Sequence, residues 1–127
     1  MPKTEILFYQ DDSGHVPCQE WLKQVYQSDK KAASNLLERM KQLAELGHEL
    51  RRPTADYLRD GIYELRARRG RVQYRLLYFF DSNARHIAIL THGLIKEDHA
   101  VPPGDIDLAI HCRRAYERDR ERHTCME

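Results

Sequence analysis

The sequence predicts one α+β domain, residues 1–127, in which helices pack on one face of a small, mainly antiparallel sheet. Two observations point to this class. One β-type run precedes two segments of helical periodicity, and three further β-type runs follow through short turns before a last helical segment. The expected order is therefore β-α-α-β-β-β-α. A chain of 127 residues, with 41% hydrophobic and 32% charged residues, also fits a single globular core.

The first half of the chain is expected to form one strand and two helices. The run EILFYQ, residues 5–10, is of β type and ends in the turn cluster DDSGHVP. A helix is predicted from Pro17, because proline is favoured in the first helical turn. Ser28 is expected to cap a second helix that ends at Gly47. The apolar stripe of this helix, spaced i, i+3, i+4 and i+7, consists of Ala33, Leu36, Leu37, Met40, Leu43 and Ala44.

The stretch DGIYELRARRGRVQYRLLYFF, residues 60–80, predicts a β-hairpin. A two-residue turn at Arg69 and Gly70 would place Glu64 opposite Arg75, and alternation then separates an apolar face from a polar face. The apolar face carries Tyr63, Leu65, Ala67, Val72, Tyr74, Leu76 and Tyr78. The polar face carries Glu64, Arg66, Arg68, Arg71, Gln73 and Arg75. With the helices on the apolar face, the polar face is expected to be open.

A third strand is predicted at RHIAILTHGLIK, residues 85–96. Its first half is apolar on both faces, which is typical of a strand near the centre of a sheet. It becomes polar at His92 and Lys96. A final helix is expected after Pro103, with an apolar stripe made of Ile106, Ala109, Ile110 and Tyr116.

Positive charge is concentrated in residues 51–75. The net charge of the chain is only +1, whereas this segment holds eight arginines against three carboxylates, a local charge of +5. A basic patch on a near-neutral protein indicates a polyanion site, and the planar arginine fork pairs well with phosphate oxygens. A structural role is the alternative, in which Glu64 and Arg75 form a cross-strand pair and the other arginines solvate the hairpin tip.

The cysteines and the N-terminus favour a cytoplasmic location. Cys18, Cys112 and Cys125 form no C-x-x-C pair, which predicts free thiols in a reducing compartment. The spacing of the C-terminal histidines and cysteines matches no standard zinc pattern. The N-terminus turns acidic after one short apolar run, unlike a signal peptide, and no apolar run approaches the roughly 20 residues of a membrane helix.

Four stretches, in this order, resemble the RelE/ParE toxin superfamily, and most closely its HigB-like branch, which is related to phage-derived proteins. They are LAELGHELRRP (residues 43–53), LRDGIYELR (58–66), YRLLYFF (74–80) and ILTHGLIKEDHAVPPGDIDLA (89–109), and they span roughly half the chain. The resemblance implies a RelE-like fold and the toxin of a type II toxin–antitoxin pair.

The resemblance also implies a mechanism and partners. Such toxins cut mRNA in the ribosomal A site without a metal or other cofactor, by attack of the 2′-OH on the adjacent phosphate, and leave a 2′,3′-cyclic phosphate. A helix-turn-helix antitoxin is the implied protein partner, and contact with operator DNA is implied only through that antitoxin.

The candidate site residues follow from this chemistry. Negative charge builds on the phosphate in the transition state, and fixed cations can stabilise it in place of a metal. Arg66, Arg75 and Lys96 are therefore predicted to stabilise the phosphate. His92 is predicted to transfer protons, although strict alternation puts it beside Ala88 and Leu90, where a structural role is the alternative. The set expected to bind RNA or assist comprises Arg68, Arg71, Gln73, Glu64 and His99, of which Glu64 and His99 are further proton-transfer candidates.

Two alternatives to the nuclease remain open. A ParE-like DNA gyrase poison is one, because the fold alone does not separate it from a nuclease. The other is a catalytically weak or inactive relative that only binds an antitoxin or nucleic acid. It is supported by a departure from the family pattern: Lys96 is followed by Glu97, and position 100 is Ala100, so the loop KEDHA is less cationic than the branch usually shows.

Overall fold

Six strands form one mixed sheet in the computed structural model, which describes residues 3–97 and 99–125. The elements are β1 (Glu5–Tyr9), α1 (Pro17–Ser28), α2 (Lys30–Leu46), β2 (Ala55–Arg59), β3 (Ile62–Arg69), β4 (Val72–Asp81), β5 (Ala84–Lys96), α3 (Pro103–Arg118) and β6 (Thr124–Cys125). A short 3₁₀ turn, Gly47–Glu49, follows α2.

The strand order in the sheet is β2-β3-β4-β5-β1-β6. Only β1 and β5 run parallel, and the other neighbours are antiparallel. The predicted α+β class and the mainly antiparallel sheet are therefore confirmed, and β5 lies inside the sheet as expected. The predicted order lacks β2 and β6. Pro53 and Gly61 flank β2, and these turn-forming residues favour an irregular segment over a strand in the sequence. Strand β6 is only two residues long, too short to give a sequence pattern.

The prediction that all helices pack on one sheet face is wrong. Helices α1 and α2 cover the face that contains Leu65, Leu76 and Leu90. Helix α3 lies on the opposite face, over Leu77 and Phe79. Residues 74–79 of β4 are buried without interruption, so the centre of the sheet is enclosed on both sides. A strand that is apolar on both faces needs cover on both, which explains the position of α3.

The β3–β4 hairpin differs from its predicted register by two residues. Arg69 pairs with Val72, so Gly70 and Arg71 form the turn. Gly70 has φ +63°, which suits the first position of a tight hairpin turn. Because side chains alternate with a period of two, the shift leaves every side chain on its predicted face. It does change the partners, since Arg66 now lies opposite Arg75.

Asp29, rather than Ser28, caps α2. Its carboxylate accepts hydrogen bonds from the backbone N–H groups of Lys31 and Ala32 at 3.1 and 3.3 Å. Ser28 ends α1 and donates its hydroxyl to carbonyls of the preceding turn of that helix. Asp29 also pairs with Arg69 at 3.1 Å, so the hairpin tip is tied to the start of α2. The predicted cap was thus one residue too early.

Replacing Asp29 with alanine is expected to lower the free energy of unfolding by about 1–2 kcal/mol, because two N–H groups of α2 lose their acceptor. Asp29→Asn keeps a capping oxygen and should lose only a fraction of that amount. Urea denaturation, followed by the fluorescence of the single tryptophan, Trp21, measures both variants. Equal losses would contradict the capping role and assign the effect to the charge pair with Arg69.

Candidate phosphate-binding site

The sheet face under α3 has an open end near the β3–β4 turn. Three adjacent strands each contribute one cation there: Arg66 from β3, Arg75 from β4 and Lys96 from β5. Arg66 is opposite Arg75, and Lys96 is opposite Gln73. The structure therefore brings together the three residues predicted to stabilise a phosphate.

A buried carboxylate holds the two arginines. Glu64 is 5% exposed and Arg75 only 2%. One carboxylate oxygen of Glu64 lies 3.1 Å from Nε of Arg75, and the other lies 3.6 Å from Nε of Arg66. Like charges directly opposite each other on a sheet repel, so Glu64 offsets the repulsion within the Arg66–Arg75 pair. The predicted cross-strand contact between Glu64 and Arg75 exists, on a diagonal instead of directly across.

Arg75 is fixed more firmly than the other cations. Its Nη1 donates to the carbonyl oxygen of Tyr74 at 3.0 Å, and its Nη2 donates to Oε1 of Gln73 at 2.8 Å. Burial lowers the pKa of Arg75, and the Glu64 carboxylate opposes that shift. A guanidinium remains protonated at any working pH, so Arg75 supplies a permanent positive charge with little freedom to move. Gln73 thus positions Arg75, in addition to lining the site.

Lys96 experiences the positive field of this cluster. Burial lowers its pKa, and the charges of Arg75 and Arg66 lower it further. Three cations face one carboxylate here, which leaves a local charge of +2. An anion bound among them would relieve their mutual repulsion.

An open cleft of about 480 Å³ lies beside the cluster. Arg66, Arg68, Gln73 and Arg75 line it, and so do two residues that the sequence did not indicate. These are Arg39 and Pro53. Nε of Arg39 donates to the carbonyl oxygen of Arg66 at 3.2 Å, on the part of β3 that extends beyond β2. No local pattern marks Arg39, because its position depends on how α2 packs against β3.

The remaining predicted RNA contacts lie at the margins. Arg68 is exposed near the end of β3, and Arg71 is exposed in the hairpin turn. His99 is exposed in the loop between β5 and α3. Arg68 lines the cleft, but the structure does not gather Arg71 or His99 into the cluster around Glu64.

A bulge in β5 places His92 on the sheet face that α3 covers. Leu77 pairs with His92 whereas Tyr78 pairs with Leu90, so one extra residue, Thr91, interrupts the alternation. His92 therefore leaves the side of Ala88 and Leu90, where strict alternation placed it, and lies under α3. That part of the sequence-based expectation is wrong.

The contacts of His92 are internal to the protein. Its Nε2 is 3.1 Å from Oδ1 of Asp105, its Nδ1 is 3.0 Å from Oγ1 of Thr91, and its exposure is 9%. The Thr91 hydroxyl has one proton and also lies 3.3 Å from the carbonyl oxygen of Leu77, so a neutral imidazole with Nε2–H on the carboxylate meets both contacts only when that proton turns to Nδ1. The geometry favours a structural role, and the proton-transfer role of His92 stays a prediction.

The protein is expected to be less stable in mild acid because of His92. Burial lowers its pKa, although Asp105 opposes the shift. As the pH falls, the unfolded chain takes up this proton first, so stability present above about pH 6.5 is lost as the pH falls through the folded pKa. The slope for one group is at most about 1.4 kcal/mol per pH unit.

Urea denaturation at about pH 7.5 and about pH 5 tests this expectation, in a range above the usual carboxylate pKa values. His92→Gln should show a smaller difference between the two pH values than the natural protein. Burial and the charge of Arg85 also lower the pKa of His48, so His48→Gln should reduce the difference as well, and the double variant should reduce it most. An undiminished difference in His92→Gln would contradict the assignment.

The cysteines are free thiols, as predicted. Burial raises the pKa of Cys112 to about 12 and raises that of Cys18 as well. Neither is therefore a thiolate nucleophile at neutral pH. Within residues 3–97 and 99–125, no three His, Cys, Asp or Glu side chains are grouped so that they could hold a metal ion.

Comparison with known proteins identifies the family. The model of the family described as Phage derived protein Gp49-like (DUF891) matches residues 20–114, three quarters of the chain. The match extends from α1 into α3 and includes every candidate site residue named above. No curated protein gives a significant match. In the described part of the chain, no helix has the length and apolar character needed to cross a membrane. The chain belongs to the Gp49-like family of phage-derived proteins, which is part of the RelE/ParE-like toxins.

Proposed function

We propose that this protein is the toxin of a type II toxin–antitoxin pair of the HigB-like kind and that it cuts mRNA on the ribosome without a metal. Family membership supports a toxin related to the RelE-type endoribonucleases. The observation that carries the proposal is the cluster of Arg66, Arg75 and Lys96 around Glu64, on three adjacent strands beside an open cleft. The expected partners are the ribosomal A site with its mRNA, and a helix-turn-helix antitoxin.

The cluster provides what phosphoryl transfer without a metal requires. Attack of the 2′-OH places additional negative charge on the non-bridging oxygens of the phosphate and then on the departing 5′ oxygen. Arg66, which is 28% exposed, and Lys96 are the cations that a phosphate can reach. Arg75 is buried, so it acts on the phosphate only through the electrostatic field of its charge, and its ion pair with Glu64 keeps that carboxylate in place. Cations fixed on strands need little reorganisation during the reaction, which is the main source of electrostatic catalysis.

Proton transfer is assigned to Glu64 or His99. The two ring nitrogens of His92 are engaged by Thr91 and Asp105. Glu64 lies within the cation cluster, and His99 is exposed in the loop between β5 and α3, three residues after Lys96. Either group can accept the 2′-OH proton as a carboxylate or a neutral imidazole.

One observation favours a second candidate function, RNA binding without efficient cleavage. Arg75 is nearly inaccessible, and Glu64 neutralises part of the positive charge. Glu97, which is exposed directly after Lys96, reduces the charge further. A phosphate could then be bound without strong stabilisation of its transition state.

A reconstituted translation reaction tests the proposal. Primer extension maps mRNA 5′ ends with and without ribosomes, and the 3′ ends are examined for a 2′,3′-cyclic phosphate. We expect cuts only when ribosomes are present, and the same cuts in a chelating buffer. Intact mRNA under all conditions would exclude cleavage by this protein. Co-sedimentation with ribosomes would then distinguish a binding-only relative from a protein that does not engage the ribosome.

A further inference from the structure

A second cleft lies on the opposite face of the sheet, below the C-terminal end of α2. It has a volume of about 640 Å³, and its lining includes Tyr57 and Tyr63 together with three arginines. The arginines are Arg51, Arg52 and Arg85, and all three are exposed. None of these residues belongs to the phosphate-binding site, and the proposed mechanism does not use them.

The aromatic side chains form a stack that runs from solvent into the core. Tyr57 is 52% exposed, and its ring meets the edge of Tyr63 at a centroid distance of 5.1 Å. Tyr63 stacks on the buried Tyr78 at 5.3 Å and also contacts Phe80. His48 stacks on Phe80 at 3.6 Å and lines the same cleft. The exposed ring of Tyr57 is thus supported from beneath by packed aromatic groups.

The orientation of Tyr57 is also fixed by a hydrogen bond. Its hydroxyl oxygen accepts from the backbone N–H of Gly61 at 3.0 Å. An exposed tyrosine that is tethered at its tip and packed at its edge loses little freedom when a flat ligand covers it. The chain contains another tyrosine of equal exposure, Tyr26 at 53%, which lies on α1 outside this cleft.

The charge of the cleft is complementary to an anion. Of its lining residues, Asp56 is the only acid, and it pairs with Arg52 at 2.6 Å. Nη1 of Arg51 donates to the carbonyl oxygen of His48 at 2.6 Å, which positions its positive charge without neutralising it. Arg51 and Arg85 make no ion pair among the described residues. A supported aromatic ring beside two uncompensated guanidinium groups is the combination that binds single-stranded nucleic acid.

The two clefts are close neighbours along the chain. Pro53 lines the phosphate-binding cleft, and Arg52 lines the aromatic cleft. The backbone N–H of Arg66 donates to the carbonyl oxygen of Thr54 at 2.8 Å, and Asp56 pairs in register with Glu64. One strand of RNA that crosses the edge at β2 would therefore contact both clefts.

We propose that the cleft at Tyr57 binds single-stranded RNA, with a nucleobase stacked on Tyr57 and neighbouring phosphates paired with Arg51 and Arg85. The choice of RNA rests on the proposed function, whereas stacking and phosphate pairing rest on the cleft itself. The cleft would bind nucleotides away from the scissile phosphate and would add affinity without taking part in cleavage.

Fluorescence anisotropy with a labelled single-stranded RNA of about 12 nucleotides tests the inference. The measurements use an Arg66→Ala/Lys96→Ala background, so that the first cleft contributes little and the RNA is not cut. Tyr57→Ala is expected to weaken binding roughly 5- to 100-fold, and Tyr57→Phe much less, because it retains the ring. Tyr26→Ala is the matched control and should leave affinity unchanged. Arg85→Ala should lower both the affinity and its dependence on salt.

The RNA itself provides a second control. An oligonucleotide whose central nucleotides lack bases should bind the Tyr57-containing protein weakly, and Tyr57→Ala should weaken it no further. A perfect duplex, whose bases are unavailable for stacking, should also bind weakly. The proposal is wrong if Tyr57→Ala, folded by circular dichroism, binds RNA as tightly as its background, or if duplex and single strand bind equally.

These results are separable from those on cleavage. Binding that depends on Tyr57 in a protein that leaves mRNA intact would support this cleft and refute the nuclease proposal. Ribosome-dependent cuts together with an unchanged RNA affinity in Tyr57→Ala would support the nuclease proposal and refute RNA binding at this cleft.

Discussion

Glu64→Ala is expected to destabilise the protein by about 3–5 kcal/mol, a large part of the total stability of a domain this size. Arg75 is 2% exposed, and Glu64 is the carboxylate that balances its charge. Removal of that carboxylate leaves a buried charge without a counter-ion, directly opposite the charge of Arg66. Urea denaturation at neutral pH, followed by circular dichroism, gives the change in the free energy of unfolding.

A double variant controls for the loss of volume. Glu64→Leu/Arg75→Met removes both charges and keeps apolar side chains of similar length, so we expect it to recover most of the lost stability. If Glu64→Ala stays within about 1 kcal/mol of the natural protein, the pair does not stabilise the fold as the burial of Arg75 implies. A loss that the double variant fails to restore would point to packing instead of charge.

Arg66→Ala and Lys96→Ala are each expected to reduce ribosome-dependent cleavage about 10²- to 10³-fold, the usual effect of removing one group that stabilises an anionic transition state. Arg66 is partly exposed, and its nearest carboxylate contact is 3.6 Å long, so its removal should leave the fold intact. Single-turnover cleavage of mRNA in stalled ribosomal complexes separates this chemical step from ribosome binding.

Two matched variants test whether the loss of cleavage is specific to the guanidinium of Arg66. Arg66→Lys retains a charge but not the planar fork, and we expect it to recover only part of the activity. Arg114→Ala removes an exposed arginine from α3 and should cleave like the natural protein. Cleavage at the natural rate in both Arg66→Ala and Lys96→Ala would show that the basic face is a docking surface and not a catalytic site.

The local pattern of the sequence was sufficient for the two faces of the hairpin. The turn lies at Gly70 and Arg71 instead of Arg69 and Gly70, yet a shift of two residues leaves each side chain on its face. The polar face, with Arg66 and Arg75, could therefore be identified before its register was known. The α+β class followed from the same periodicities.

Features that depend on long-range packing could not be predicted. The position of α3 depends on which sheet face the chain reaches after β5, and the periodicity of α3 does not encode that choice. The contribution of Arg39 depends on the packing of α2 against β3. The aromatic cleft joins residues from the loop after α2 with β2, β3 and β5, and only Arg51 and Arg52 were indicated by local charge.

The extra residue in β5 has a consequence for how related sequences are compared. If all thirteen residues of β5 paired without the bulge, uninterrupted alternation would carry Lys96 to the side of Ala88 and Leu90, away from Arg66 and Arg75. Deletion of Thr91 would instead remove the extra residue together with the bulge and leave Lys96 on its present face. The number of residues between Leu90 and the terminal lysine therefore has to be read together with the presence or absence of the bulge. A relative with all three cations and the same strand length, but a regular β5, would be expected to keep the fold and lose the site.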